Sequence, residues 1–161
     1  MIRMIGKNGL DLIKEFEGFR NKAYQDSGGV WTIGWGTTKI NGVNVKSNDI
    51  CTASEAELYL QIDAHQSEKL VDENVKVPLT QNQFDAMVSI IYNVGPGKPG
   101  IKSGIIKLKN GTPSTLLRLL NLGDYSGSAD HFLDWFRTAG SESGLLRRRR
   151  AERKLFLTPD I

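Results

Sequence analysis

The sequence predicts an α+β protein in which one helix is followed by a small antiparallel sheet and then by a mainly helical region. Residues 8–20 have the apolar spacing of an amphipathic helix, and residues 21–45 are rich in glycine and in β-forming side chains. The rest of the chain returns to helical spacing. We therefore expect one domain over residues 1–161, with a small sheet lobe and a larger helical lobe joined by a long helix.

The bulk composition agrees with a single packed domain. At 161 residues with 39% hydrophobic residues, the chain is long enough and apolar enough for one core. A formal net charge of +3 and a pI near 9.0 favour anionic partners without choosing among them. The single cysteine, Cys51, excludes an internal disulfide framework, and we expect it to be a small buried side chain.

The sheet lobe is predicted in a glycine-rich segment over about residues 21–50. Asn41 and Gly42 form the dipeptide that is typical of a two-residue hairpin turn. A capping box that begins at Thr52 then opens a helix over about residues 53–74. Because this helix is long and polar, we expect it to connect the two lobes.

The helical lobe is predicted over about residues 78–161. A second capping box begins at Thr80, and apolar residues follow it at positions i, i+3, i+4 and i+7. This is the strongest helix signal in the chain. Further helices are predicted at 103–109, 113–122, 132–136 and 143–157.

Two carboxylates flank the change from helix to glycine-rich chain. Glu17 ends the first helix beside Phe16 and Phe19, and apolar neighbours favour the protonated carboxyl that a general acid requires. Asp26 follows on a loop, where backbone amides and water can keep it ionised. Two acids in such unlike environments match the chemistry of glycoside hydrolysis, and the hydroxyl of Thr32 can help to hold a water.

Spacing alone leaves Glu15 as an alternative to Glu17. The two residues are roughly 200° apart around a helix, so only one of them can face the sheet lobe. Both border an apolar face, and an isolated carboxylate is most often a solvated surface charge. The position of either residue therefore does not decide which one is catalytic.

The motifs of this region resemble those of the phage-type lysozymes, glycoside hydrolase family 24, which include the endolysins of T-even and lambdoid phages. The sequence has E-G-F-R from Glu17, A-Y-x-D ending at Asp26, and G-x-x-T-I-G-x-G from Gly29, with Thr32 as its threonine. This spacing is specific, and similar segments span nearly the whole chain. The resemblance implies a lysozyme-like fold with an active-site cleft between the sheet lobe and the helical lobe.

The resemblance also implies an activity: an N-acetylmuramidase that cuts the β-1,4 bond between N-acetylmuramic acid and N-acetylglucosamine in peptidoglycan. By motif, Glu17 is the general acid, Asp26 positions or deprotonates water or stabilises the oxocarbenium ion, and Thr32 assists. An inverting mechanism is expected, with the carboxyl groups roughly 6.5–9.5 Å apart. No cofactor and no metal are predicted. Glycan contacts are expected at Thr38, Tyr92, Asn93 and Ser103.

An endolysin of this kind would be made in the host cytoplasm and would act in the periplasm as a monomer, after holin-dependent release. No apolar run approaches the ~18 residues of a membrane span. The alternative function is a non-catalytic glycan-binding relative, although a binder has no need of all three catalytic positions. Nucleic-acid binding is suggested by the arginine run alone and is not favoured.

Three further features of the sequence concern surface charge, a missing ion pair and the placement of the tryptophans. The run of Arg147, Arg148, Arg149 and Arg150 is either a solvated helix face or a patch for an anionic cell-envelope polymer. Thr37 stands where many relatives have histidine, so an ion pair known in some of them is expected to be missing. Tryptophans fill cores and also stack on sugars, and we expect the core for Trp135.

Overall fold

The structure is a computed structural model that describes residues 1–136 and 142–160, with the backbone alone at 142 and 143. Within these ranges it contains six α-helices, one 3-10 helix and four short strands, which confirms the predicted α+β class. The elements in chain order are α1 (Lys7–Glu17), β1 (Arg20–Gln25), β2 (Trp31–Gly34), β3 (Lys39–Ile40), β4 (Val43–Asn44), α2 (Ala53–Asn74), α3 (Gln81–Val94), α4 (Thr115–Asn121), α5 (Tyr125–Asp130), the 3-10 helix (His131–Asp134) and α6 (Glu142–Leu157).

The chain divides into two compact units. The sheet unit is Ile13–Gln66, and the helical unit is Met1–Leu12 together with Ser67–Ile161. Helices α1 and α2 therefore contribute residues to both units. Over the described part of the chain, no helix is both long enough and apolar enough to cross a membrane.

The sheet unit contains two antiparallel ladders rather than one continuous small sheet. In the first ladder, β1 pairs with β2 and places Tyr24 opposite Thr32. In the second, β3 pairs with β4 around a turn at Asn41 and Gly42, whose φ angles are 51° and 78°. Two consecutive positive φ angles are the requirement of a type I′ turn, so the predicted hairpin is confirmed.

The core of the sheet unit lies between these ladders and the start of α2. It is formed by Ile33, Val45, Cys51 and Ala56, all of which are buried. Burial raises the pKa of the Cys51 thiol, with a further contribution from the charge of Glu55. The expectation of a buried cysteine is therefore confirmed.

Both predicted capping boxes are present. At the start of α2, the Glu55 amide donates to Thr52 Oγ1 at 3.1 Å, and the Thr52 amide donates to Glu55 Oε1 at 2.9 Å. At the start of α3, Thr80 and Gln83 make the same reciprocal pair. Each box satisfies amides that the first turn of a helix would otherwise leave unpaired. Because its two residues are three positions apart, each of these helix starts could be predicted from the sequence.

Helix α3 is the centre of the helical unit. Its residues 84–91 are all buried, and it packs against α6. The rings of Phe132 and Phe156 meet nearby, with centroids 5.3 Å apart in a tilted arrangement. The sequence prediction for α3 is therefore confirmed, because a helix that is apolar on most of its surface belongs in a core.

The predicted helix at 103–109 is wrong. This segment is irregular, and it folds so that Gly104 lies directly on the backbone of Gly97. A Cβ added at Gly104 would lie 2.1 Å from the Gly97 nitrogen, which is closer than any real Cβ contact. The loop therefore depends on two glycines at close approach, a requirement that helical spacing does not reveal.

The next two helix predictions are wrong in their boundaries. Helix α4 begins at Thr115 rather than at Pro113, because Ser114 is the N-cap and its Oγ accepts from the Leu117 amide at 3.1 Å. The helix predicted at 132–136 is the short 3-10 helix, and the preceding α5 was not predicted. The prediction of a final helix over 143–157 is confirmed by α6.

The arginine run of α6 does not form one continuous exposed face. Arg147 and Arg150 are exposed, but Arg148 and Arg149 are only 4% and 0% exposed. Both readings of the run as four surface arginines are therefore wrong for these two. The physical reason is a buried acid on the same helix, Glu152, which pairs with them.

Candidate active site

Glu17 is the last residue of α1 and is half-buried, whereas Glu15 is exposed. The helix ends there because Gly18 adopts a φ of 72°, which side-chain-bearing residues rarely adopt. The backbone of Gly36 lies against the Glu17 carboxyl, and a Cβ at Gly36 would be 3.0 Å from Oε2. Of the two carboxylates that spacing left open, Glu17 is the one in contact with the turn that follows β2.

An aromatic contact orders the chain around this carboxylate. The rings of Phe19 and Trp35 have centroids 4.9 Å apart, and the Lys14 ammonium lies 4.7 Å from the Trp35 ring. Lys14 also forms an ion pair with Glu57 on α2. These contacts join the end of α1 to the turn beside Gly36, so the surroundings of Glu17 are packed.

Asp26 is exposed and sits in a tight turn between β1 and β2. Its Oδ1 accepts hydrogen bonds from the amides of Gly28 and Val30, both at 2.9 Å. Within residues 1–136 and 142–160, its Oδ2 accepts no hydrogen bond from the protein. One carboxylate oxygen is therefore fixed by the backbone, and the other is available to a substrate or a water.

Thr32 lies on β2 and is only 4% exposed. Its Oγ1 donates to the carbonyl oxygen of Val30 at 3.0 Å, so the hydroxyl proton is already used. The lone pairs of Oγ1 remain to accept a hydrogen bond from water. Thr32 can thus orient a water by accepting a hydrogen bond from it.

The sheet unit therefore contains three groups of different chemical capability. Glu17 offers a half-buried carboxyl, Asp26 an exposed and oriented carboxylate, and Thr32 a hydrogen-bond acceptor. A proton donor, a charge or base, and a water-orienting group are what hydrolysis of a glycosidic bond requires. Among the residues that the structure describes, no cluster of three or more His, Cys, Asp or Glu side chains is suited to a metal ion.

The residues expected to contact a glycan fall in both units. Thr38 is exposed and lines a pocket of about 280 Å³ in the sheet unit, together with Trp31 and Lys39. Asn93 and Ser103 line a pocket of about 520 Å³ in the helical unit. The half-buried Tyr92 precedes Asn93 on α3.

Sequence reasoning missed part of the larger pocket. Lys102, Asp134 and Trp135 also line it, and Trp135 is half-buried, so the expectation of a core tryptophan is wrong. Its spacing from Phe132 was the misleading signal, because Phe132 is fully buried and Trp135 lies beyond the end of the 3-10 helix. The role of Gly36 could have been inferred from the glycine-rich motif.

Comparison with known proteins gives a match over most of the chain. The family model for phage lysozymes matches residues 14–152. The endolysin of Salmonella phage P22 is 42% identical over 155 residues, which cover 96% of this chain and 98% of that protein.

Solved structures agree with this match. The endolysin from Escherichia coli O157:H7 phage FAHEc1 has 38% identity and a TM-score of 0.82, with coverage of 96% of this chain and 94% of that one. The muramidase domain of SpmX from Asticaccaulis excentricus has 33% identity and a TM-score of 0.75, with coverage of 96% and 98%. The chain belongs to the phage lysozyme family.

Proposed function

We propose that this protein is a phage endolysin: a peptidoglycan hydrolase that cuts the β-1,4 bond between N-acetylmuramic acid and N-acetylglucosamine. The observation that carries this proposal is the placement of Glu17 at the end of α1 against Gly36, in the same unit as Asp26 and Thr32. Membership of the phage lysozyme family supports it, as does similarity to an endolysin and a muramidase domain.

In the proposed mechanism, Glu17 donates a proton to the glycosidic oxygen as the bond breaks. Asp26 acts through Oδ2, either on the attacking water or on the positive charge that develops at the anomeric carbon. The backbone amides on Oδ1 support this role because they fix the carboxylate without occupying its second oxygen. Thr32 Oγ1 accepts a hydrogen bond from the water, Asp26 Oδ2 takes the water proton where it acts as the base, and the reaction inverts the configuration at the anomeric carbon.

The substrate is a peptidoglycan strand, and residues 1–161 act as one catalytic module. Thr38, Tyr92, Asn93 and Ser103 are proposed as glycan contacts. Support comes from the pockets that Thr38, Asn93 and Ser103 line. We also propose that the protein acts as a monomer, made in the host cytoplasm and released to the wall by a holin lesion.

A reduced form of the hypothesis that α6 carries a patch for an anionic polymer involves the exposed cations alone. Arg147 and Arg150 are exposed on α6, as is Lys154 one turn further on, and together they could contact an anionic cell-envelope polymer. Binding of this kind would be screened by salt. The lytic rate would then fall steeply with added salt in the wild type, and less so in an Arg150→Gln variant.

The central experiment compares wild type, Glu17→Gln and Glu15→Gln on chloroform-treated Gram-negative cells and on purified peptidoglycan. We expect clearing by wild type and by Glu15→Gln, and loss of clearing with Glu17→Gln. Glu15→Gln is the matched control because it makes the same chemical change two residues away, at an exposed position. Product analysis should place the new reducing end on N-acetylmuramic acid, and NMR of the first product should show the inverted anomer.

Two outcomes would contradict the proposal. Loss of activity in Glu15→Gln but not in Glu17→Gln would reverse the assignment of the acid. Wild-type protein that binds peptidoglycan strands but releases no new reducing ends would instead support the second candidate, a non-catalytic glycan-binding protein.

A further inference from the structure

The pocket of about 520 Å³ in the helical unit is lined by both hydrogen-bonding and apolar side chains. Asn93, Lys102, Ser103 and Asp134 are its polar residues. Trp135 and Leu145 contribute apolar surface to the same pocket. A pocket of this composition suits a small group that carries both an acceptor oxygen and a methyl group.

The Asn93 side chain accepts a hydrogen bond from a buried arginine. Arg149 is 0% exposed, and its Nη2 donates to Asn93 Oδ1, 56 positions away in the chain. Arg149 Nε lies 2.8 Å from Oε1 of Glu152, which is itself 0% exposed. The Ser89 hydroxyl donates to Oε2 of the same carboxylate at 2.5 Å.

This arrangement fixes the orientation of Arg149. Its Nε and Glu152 Oε1 are close but not aligned as a hydrogen bond, so charge attraction holds them together. If the guanidinium turned away, the buried Glu152 carboxylate would lose the closer of its two arginine partners and would keep Arg148, whose Nε is 3.4 Å from Oε2. The Nη2 of Arg149 is therefore presented to Asn93 in a set direction.

The contact also decides which end of the Asn93 amide faces Arg149. A guanidinium has donors and no acceptor, so it must meet the amide oxygen and not the NH₂ group. The Nδ2 group makes no hydrogen bond with any residue that the structure describes. It is therefore the part of Asn93 that a ligand can use, and it is a donor.

Two neighbouring polar side chains, Ser103 and Lys102, are also donors, whereas the fourth polar residue of the pocket, Asp134, is an acceptor whose Oδ2 lies 2.7 Å from His131 Nδ1. Ser103 Oγ accepts from the Lys109 amide at 2.8 Å, so its hydroxyl proton remains to be donated. The ammonium of Lys102 is a donor as well, and it is exposed. Three donors on one pocket call for an acceptor on the ligand, such as a carbonyl or carboxylate oxygen.

We propose that Arg149 is a positioning residue for substrate binding: it orients the Asn93 amide so that the pocket binds an acyl group of peptidoglycan through its carbonyl oxygen. The methyl of that acyl group would lie against Trp135 and Leu145. Two parts of the substrate have this chemistry, namely the acetamido group of either sugar and the lactyl-alanyl junction of the stem peptide. The inference rests on the proposed function.

The test measures kcat and KM for soluble peptidoglycan chains with Asn93→Ala, Asn93→Asp, Arg149→Lys and the double variant Asn93→Ala/Arg149→Lys. Each Asn93 change removes the ordered donor, so KM should rise about 2- to 10-fold with little change in kcat. Arg149→Lys keeps the charge but cannot hold Glu152 and Asn93 together, so it should raise KM similarly. Arg118→Lys, at an exposed position on α4, is the matched control and should leave KM unchanged.

The double variant separates positioning from a merely structural role. If Arg149 acts through Asn93, adding Arg149→Lys to Asn93→Ala should raise KM no further, although the melting temperature should fall. KM effects that multiply in the double variant would overturn the proposal, as would an unchanged KM in both Asn93 variants. Inactive wild type would remove the proposed function instead, so the two failures are distinguishable.

A second substrate identifies the source of the acyl group. Glycan strands from which the stem peptides have been removed retain the acetamido groups only. An Asn93→Ala effect of equal size on both substrates would support an acetamido ligand, whereas an effect confined to peptide-bearing chains would support the lactyl-alanyl junction. Either result supports the pocket as an acyl site.

Discussion

The Thr37 hydroxyl donates a hydrogen bond to the Asp63 carboxylate, with Oγ1 2.7 Å from Oδ2. Thr37 is 1% exposed and directly follows the glycine-rich motif, and Asp63 lies on α2. The contact at this position is therefore a hydrogen bond from a neutral hydroxyl and not an ion pair. Burial raises the pKa of Asp63, and the hydrogen bond from Thr37 partly opposes this rise.

Replacement of Thr37 by valine should destabilise the protein at neutral pH. The change keeps the shape of the side chain but removes the donor to a partly buried carboxylate, which costs about 1–3 kcal/mol. Urea unfolding at about pH 7 measures this loss. An unchanged free energy of unfolding would show that water replaces the hydroxyl at no cost.

Replacement of Asp63 by asparagine should change how stability depends on pH. The folded pKa of Asp63 lies above its ordinary value of 3.8, so the native state binds more protons in that window and stability falls as pH rises through it. Asp63→Asn removes this fall and still accepts from Thr37. Relative to wild type, we expect a larger free energy of unfolding at about pH 7 and no gain at about pH 3, measured by urea unfolding. A gain of equal size at both pH values would contradict this account.

Replacement of Gly36 by alanine should lower kcat strongly and should also reduce the stability of the fold. The added Cβ would lie 3.0 Å from Glu17 Oε2, and Gly36 has a φ of 97°. Backbone strain of this kind costs about 1–3 kcal/mol. Displacement of a catalytic carboxyl by about 1 Å can lower kcat roughly 100-fold. Steady-state kinetics and thermal unfolding measure the two effects.

Gly42→Ala is the matched control for that variant. Gly42 also has a positive φ, 78°, but an added Cβ would meet no atom within 4 Å. We expect a similar loss of stability with kcat close to the wild-type value. Equal losses of kcat in the two variants would indicate that backbone strain, and not contact with Glu17, explains the effect at Gly36.

Replacement of Glu152 by glutamine should destabilise the helical unit strongly. The neutral side chain can still accept from Ser89, but it leaves the buried Arg149 without its counter-charge, which costs about 3–5 kcal/mol. Glu57→Gln breaks the partly exposed pair with Lys14, and it should cost only about 0–1 kcal/mol. Denaturant unfolding compares the two losses, and similar values would argue against a special cost of the buried site.

The parts of the fold that could be predicted are those encoded by neighbouring residues. The capping boxes at Thr52 and Thr80 and the turn at Asn41 and Gly42 each complete their hydrogen bonds within a few positions. The irregular loop after α3 could not be predicted, since it depends on close approach of two backbones rather than on side-chain periodicity.

The residues of the candidate site also differ in whether they could be predicted from the sequence. Glu17, Asp26 and Thr32 lie within one short motif, so their spacing could be recognised in the sequence. The contact between Arg149 and Asn93 joins positions far apart in the chain, and a run of four arginines gives no sign that two of them are buried. Burial of these two depends on a tertiary partner, which periodicity does not identify.

The solitary cysteine gives the sheet unit a built-in chemical reporter. Cys51 is enclosed with Ile33, Val45 and Ala56, and its thiol resists ionisation there. A thiol reagent would therefore react slowly with the native protein and rapidly once this core opens. The rate of labelling as a function of reagent concentration would yield the frequency of such local opening without any engineered label.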